Sequence, residues 1–469
     1  MYFDSLQYVV FLPIVFLLFL VACKSSKRNA FLLLSSYFFY GCWNPFYLIL
    51  IFISTGVDFI VGIKIHKNSR KETKRNYLLI SLIANLGILF FFKYANFVFG
   101  NTLALFNVQE ASNYIHDYIL PVGISFYTFQ TIGYSIDVYR GKVKPERNLV
   151  NFALYVSFFP QLVAGPIERA SNLLPQFQIP FILNATKISN GLKLILIGLI
   201  KKIVFANSFA EYVNIVFEAP NTYSTTQILF ATLLFGFQIY FDFSGYTDIA
   251  RGSAKLFGID LMENFRGPYL SSSVREFWKR WHISLSLWFK DYLYIPLGGN
   301  RVKVSRIYLN LLIVFIVTGL WHGANWTFLI WGLVHGFFII LERLGLDKLL
   351  QRLPIYISRL YTLTIVFFAW IFFRVSNWDH AYSVLNKVLF TKSITSLSLD
   401  KINVVNFAMI FILLFIATIL HRIEYKQNLL AWMNKLHSKT RFILICIMIL
   451  FLVLFGKFYE HAEFIYFQF

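Results

Sequence analysis

Charge is scarce in this chain: 14% of its 469 residues are Asp, Glu, Lys or Arg, and 58% are hydrophobic. It therefore lacks the ionised surface expected of two or three soluble domains. Acidic residues are the rarer sign, 23 against 43 basic ones. The three cysteines, Cys23, Cys42 and Cys446, have neither zinc-site nor disulfide-framework spacing and read as core filler. No Walker loop or dinucleotide fingerprint occurs, which removes support for ATP hydrolysis and hydride transfer; Gly298, Gly299 and Asn300 resemble the end of a phosphate loop only superficially. No repeat points to an inverted-repeat transporter. The strand-period alternation of a membrane barrel is missing as well.

What remains is a succession of apolar runs from the first residues to the last, with a mean hydropathy of +0.62. Lipid offers the backbone no hydrogen-bond partner, so such runs must be helices, and the fold class is an all-α, polytopic integral membrane protein. The net charge of +20 does not indicate nucleic acid, because the lysines and arginines sit in short clusters between the runs, as positive-inside signals do. The first run, about Tyr8 to Ala22, reads as a retained span rather than a removable signal. Lys24, Lys27 and Arg28 follow it on the cytoplasmic side. The segment Lys64 to Arg75 is cytoplasmic too, Ala95 to Asp117 with Glu110 and Asp117 is external, and Arg140 to Arg147 is cytoplasmic again.

This pattern predicts about 11 transmembrane helices in a lipid bilayer. Re-entrant or interfacial segments are expected at Asn151 to Gly165 and Pro268 to Gly299, where Pro160, Gly165, Pro268, Pro296, Gly298 and Gly299 break apolar sequence around a central funnel. Ser376 to Asn403 reads as a more polar exposed insert. The whole of 1–469 is expected to form one membrane domain, with N-terminal helices over 1–118, a catalytic core over 119–345 and C-terminal helices over 346–469.

Two Trp-His dipeptides carry the chemistry. Trp281-His282 lies in FWKRWHISLSLWFK, and Trp321-His322 opens the apolar tract Thr318 to Gly336. A histidine in such a tract reads as a functional site lining an enclosed cavity, since imidazole exchanges protons near neutral pH and serves as general base or acyl carrier. His335 reads as packing or hydrogen-bonding; His66, His116, His380, His421, His437 and His461 have no such setting. In YFDFSGYTDIARG, Asp242 either orients a histidine or marks a helix end, and Asp248 pairs with Arg251 or Arg280. The cationic run Arg275, Lys279, Arg280, Lys290, Arg301, Lys303 and Arg306 matches phosphate oxygens, although topology or anionic lipid explains most of it equally well. The candidate catalytic residues are thus His322 and His282. Trp321, Trp281, Asp242, Asn325, Lys279 and Arg280 are candidate substrate-binding residues, and no metal site is expected.

Six stretches taken in order resemble the membrane-bound O-acyltransferase (MBOAT) family, in its bacterial alginate O-acetyltransferase subunit I-like branch. They are SFYTFQTIGYSIDVYRG at Ser125 to Gly141, FFPQLVAGPIER at Phe158 to Arg169, YFDFSGYTDIARG at Tyr240 to Gly252, REFWKRWHISLSLWFKDYLYIPLGGNR at Arg275 to Arg301, TGLWHGANW at Thr318 to Trp326, and the closing FIYFQF. Lys290 stands where the family pattern has arginine. The resemblance implies funnels from both membrane faces meeting at a thin wall, with the family histidine at His322 and the second active-site position, histidine or asparagine in different branches, at His282. It implies an enzyme of the cytoplasmic (inner) membrane with no bound cofactor. Cytoplasmic acetyl-CoA is the donor, an SGNH-type extracytoplasmic acetyltransferase is the partner, and a polysaccharide is the acceptor. D-alanyl transfer from a carrier-protein thioester to a cell-wall polymer is the alternative inside the family; a solute or proton transporter is the alternative outside it.

Overall fold

The computed structural model describes residues 1–23, 27–106, 119–163, 165–391, 404–458 and 464–467, and every regular element among them is a helix. In order these are α1 Leu6–Ala22, α2 Arg28–Gly41, α3 Leu48–Lys67, α4 Lys71–Leu89, α5 Ala95–Leu105, α6 Ile124–Tyr139, α7 Leu149–Ser157 and α8 Phe159–Leu162. There follow α9 Ala170–Gln178, α10 Ala185–Leu199, α11 Asn207–Glu218, α12 Thr225–Leu256, α13 Val274–Arg280, α14 Ile283–Phe289, α15 Val304–His322 and α16 Trp326–Leu341. The last are α17 Asp347–Arg352, α18 Ile355–Arg374, α19 Trp378–Asn386, α20 Val404–Lys426, α21 Leu429–Lys435 and α22 Ser438–Phe455.

Eight helical stretches among the described residues are long and apolar enough to cross a bilayer, and Leu6–Ala22 and Leu149–Leu162 are shorter apolar helices. The all-helical membrane fold is as expected. Two stretches differ in detail from the sequence reading. A π-helical turn at Phe90–Tyr94 carries α4 straight into α5, so helix continues over 95–105, past the expected end of the span at Tyr94; Glu110, Asp117 and Lys24 lie outside the described residues. YFDFSGYTDIARG does not interrupt its span either. Helix α12 runs through it for 32 residues, because protein rather than lipid surrounds Asp242, Ser244, Thr247 and Asp248, all of them buried. The stretches at 151–165 and 268–299 do break into short helices, as their prolines and glycines suggested.

The chain forms two compact units, Met1–Ile195 with Tyr246–Met262, and Leu196–Gly245 with Glu263–Phe469. In the first, α3, α4 and α6 pack on one another and α2 packs on α7. Asp248 pairs there with Arg251 at 3.3 Å, one of its two expected partners.

The second unit is built on the α15–α16 hairpin, the most extensive helix pairing among the described residues. Gly319 and Gly332 face each other across it, and a Cβ on either would lie 2.2 or 2.3 Å from the opposing backbone carbonyl. Only hydrogen fits there, which is the small-residue route to close helix approach in a membrane. A π-helical stretch, Ile200–Ala206, turns two consecutive lysines inward. Lys201 pairs with Glu424 at 2.6 Å and Lys202 with Asp242 at 2.8 Å, and all four side chains are at most 9% exposed.

Candidate active site

The site belongs to the second unit and begins at α13. Ser273 Oγ caps this short helix by accepting from Glu276 N (3.0 Å), while Glu342 accepts from Val274 N (2.6 Å) and Arg275 N (3.0 Å). A buried carboxylate thus serves the orphan amides of the first turn. After Trp281 the backbone turns sharply. His282 has φ 41° and ψ 57°, the one non-glycine left-handed residue among those described. Asn264 braces the turn, its carbonyl accepting from Ile283 N at 3.0 Å and its Oδ1 from Ser284 N at 3.1 Å. Strained backbone held by its surroundings in this way is characteristic of functional positions.

His282 is fully buried, with ring centroids 4.7 Å from Phe243, 5.9 Å from Trp321 and 6.3 Å from Tyr466. It lies outside the eight apolar stretches, and burial lowers its imidazole pKa, because the protonated form would be poorly solvated there, so the ring rests neutral. His322 ends α15 at 2% exposure, with ring centroids 4.9 Å from Trp331, 5.0 Å from Trp321, 5.2 Å from Phe373 and 5.4 Å from Tyr466. The two histidines therefore share two aromatic neighbours, Trp321 and Tyr466.

The other expected site residues divide. Asp242, expected to orient a histidine or mark a helix end, is held by Lys202 and accepts from Ile465 N at 2.9 Å, so it anchors the segment that sets Tyr466 against both histidines. Trp281 stacks on Phe277 at 5.5 Å and lies 5.0 Å from Trp370, forming wall. Asn325 caps α16 by accepting from Thr327 N at 3.1 Å and donates to the Ser376 carbonyl at 2.6 Å. Arg280 binds Glu276 at 2.8 Å and lies 4.0 Å over the Tyr425 ring.

Lys279 lines a cavity of about 740 Å³ together with Arg275, Trp278, Lys290, Arg343 and Asp347. Arg275 is paired to Asp347 at 3.0 Å. Arg301, Lys303 and Arg306 are exposed and take no part in this lining. Trp278 joins the cavity wall to the histidines: its ring is 5.6 Å from Trp331, which touches His322, and its Nε1 donates to His335 Nδ1 at 3.3 Å. His335 is thus packed and hydrogen-bonded, as expected.

Sequence reasoning gave no role to Tyr466, Trp331, Phe373, Phe243 or Arg343. For Tyr466 the closing FIYFQF was the available signal. The others are aromatics or a cation in a chain where such residues recur throughout. His421, given no setting from sequence, is buried and accepts from Tyr269 N at 2.8 Å.

The profile of the MBOAT, membrane-bound O-acyltransferase family matches residues 73–378, a stretch that contains both histidines. The chain belongs to this family. The acyltransferase is 38% identical to the peptidoglycan O-acetyltransferase of Helicobacter pylori over 83% of its own length and 80% of that relative's. It is 40% identical to the probable alginate O-acetylase AlgI of Pseudomonas putida over 78% and 76% of the two lengths. A teichoic acid D-alanyltransferase of Streptococcus thermophilus is 31% identical over 52% of this chain and 62% of that one. Family membership and the apolar helices make the protein a multi-pass membrane acyltransferase, and the transporter alternative falls away.

Proposed function

We propose that the acyltransferase is an O-acetyltransferase of the bacterial cytoplasmic membrane. It takes acetyl from cytoplasmic acetyl-CoA and passes it, through an SGNH-type extracytoplasmic partner acetyltransferase, to hydroxyls of a polysaccharide. In the transfer the acceptor oxygen bonds to the thioester carbonyl carbon, the carbon–sulfur bond breaks, and the acceptor's proton ends on the coenzyme thiolate. His322 accepts that proton as general base, and His282, neutral and fixed by its own backbone turn, positions or shares the load. The aromatic walls keep water from hydrolysing the thioester.

The observation that carries this reading is the pair of buried histidines sharing Trp321 and Tyr466, with Trp331 and Trp278 leading from His322 to a cationic cavity. That cavity's Lys279, Lys290 and Arg343 suit the phosphates of a nucleotide donor. Acetyl is favoured over D-alanyl because the similarity to O-acetyltransferases covers more of the chain than that to the D-alanyltransferase. Membranes carrying His322→Ala should lose transfer of labelled acetyl by about a hundredfold or more at equal protein level. Parental activity would remove His322 from the chemistry, and label entering from alanine instead of acetate would select the other acyl group.

A further inference from the structure

In the first unit, three helices each bring two polar side chains four residues apart into one buried cluster: Ser54 and Asp58 on α3, Ser81 and Asn85 on α4, Thr131 and Ser135 on α6. A spacing of four places both members of each pair on the same helix face. All six residues are at most 1% exposed. Ser81 and Ser135 each donate to Asp58 Oδ1 at 2.5 Å, and Asn85 Nδ2 donates to Oδ2 at 2.6 Å. The Asn85 amide oxygen accepts from Ser54 at 2.6 Å and Thr131 at 3.2 Å, which are themselves 3.3 Å apart.

Every hydrogen-bond partner of Asp58 is therefore neutral, and among the described residues no lysine, arginine or histidine pairs with it. A carboxylate inside a membrane helix bundle normally has a counter-charge or a transported ion. The surroundings are those of a hard cation: two carboxylate oxygens, four hydroxyls and an amide oxygen, with no sulfur and no imidazole. One further oxygen, Thr55 Oγ1, is buried one turn before Asp58 and makes no hydrogen bond among the described residues. One carboxylate charge calls for a single positive one, and a small ion is the one that oxygens now hydrogen-bonded to each other can admit with the least separation.

We propose that Asp58 is the anionic ligand of a sodium site completed by Ser54, Ser81, Asn85, Thr131 and Ser135. On binding, the hydroxyls turn their lone pairs inward and the ion ties α3, α4 and α6 together. Nothing in acyl transfer requires this site, so it stands or falls separately from the proposed activity.

The test is thermal unfolding of the purified full chain in detergent, in NaCl, KCl or N-methylglucamine chloride at constant ionic strength and pH. The wild type should gain stability only in NaCl, with Tm rising at each tenfold step in concentration above half-saturation. Asp58→Asn should abolish the sodium response. Ser135→Ala, which keeps the carboxylate and serves if the first variant does not fold, should shift half-saturation to higher sodium. Equal Tm in the three salts for the wild type, or a sodium response unchanged in either variant, overturns the proposal.

Discussion

Alanine at Gly332 would place a methyl carbon 2.3 Å from the Phe315 carbonyl oxygen, where ordinary contact begins at 3.4 Å. The obstacle is backbone, so no side-chain rotation relieves it, and α15 and α16 must separate by about 1 Å to restore normal contact. Overpacking of this kind costs roughly 1–3 kcal/mol. The displacement also reaches the candidate site, because Gly319, opposite Gly332, lies three residues before His322, and Trp331 precedes Gly332 directly. Shifting a reacting group by about 1 Å costs on the order of a hundredfold in rate. Gly332→Ala should therefore lower both Tm in detergent and labelled-acetyl transfer, the second more than the first. Gly87→Ala is the control, since a Cβ there meets nothing within 4 Å. A Gly332→Ala protein with parental Tm and turnover would refute the close-packed hairpin as the frame of the site.

The remaining predictions concern the supports of the site and its cavity. Asp242→Ala leaves Lys202 buried without its carboxylate and releases Ile465 N; breaking such a pair costs roughly 3–5 kcal/mol, readable as a lowered Tm, whereas Lys187→Ala, at the half-exposed pair with Asp260, should leave Tm nearly unchanged. Lys279→Ala or Arg343→Ala should raise KM for acetyl-CoA with kcat nearly preserved, the difference from the parent shrinking at high salt; an unchanged KM would remove the cationic cavity as the donor site. Glu342→Leu strips the acceptor from two backbone amides of α13 and should destabilise by about 2 kcal/mol, with a Glu342→Gln protein falling in between.

The fold class was legible because lipid permits so few structures: apolar runs and basic clusters alone lead to a polytopic helical protein. The short-helix regions were legible too, since Pro160, Gly165 and the glycines at 298 and 299 interrupt otherwise apolar sequence. The exact number of crossings was not, because hydropathy cannot separate α7 and α8, which stop short, from a span, nor foresee that a π-helical turn continues α4 past Tyr94. At the site, His282 and His322 stood out through their tryptophan neighbours. Asp242 was visible as an acid in an apolar stretch, open between orienting a histidine and marking a helix end, but its partners, Lys202 and Ile465, lie 40 and 223 positions away in sequence and no local pattern announces them. Lys201 and Lys202 were given no role from sequence; the π-helical stretch turns both into the interior. Within the cationic run, Arg280 is committed to Glu276 and Tyr425 and the last three cations are exposed, distinctions that spacing alone does not carry.

The backbone angle at His282 limits which amino acids the position can hold, whatever reaction is run there. A left-handed residue excludes Val, Ile and Thr, whose branched Cβ collides with the neighbouring peptide, and leaves chiefly Gly, Asn, Asp and His. Histidine and asparagine, the two choices attributed to related branches at this place, both fall within that small set. Steric permission comes first at residue 282, and the needs of the site select from what it allows.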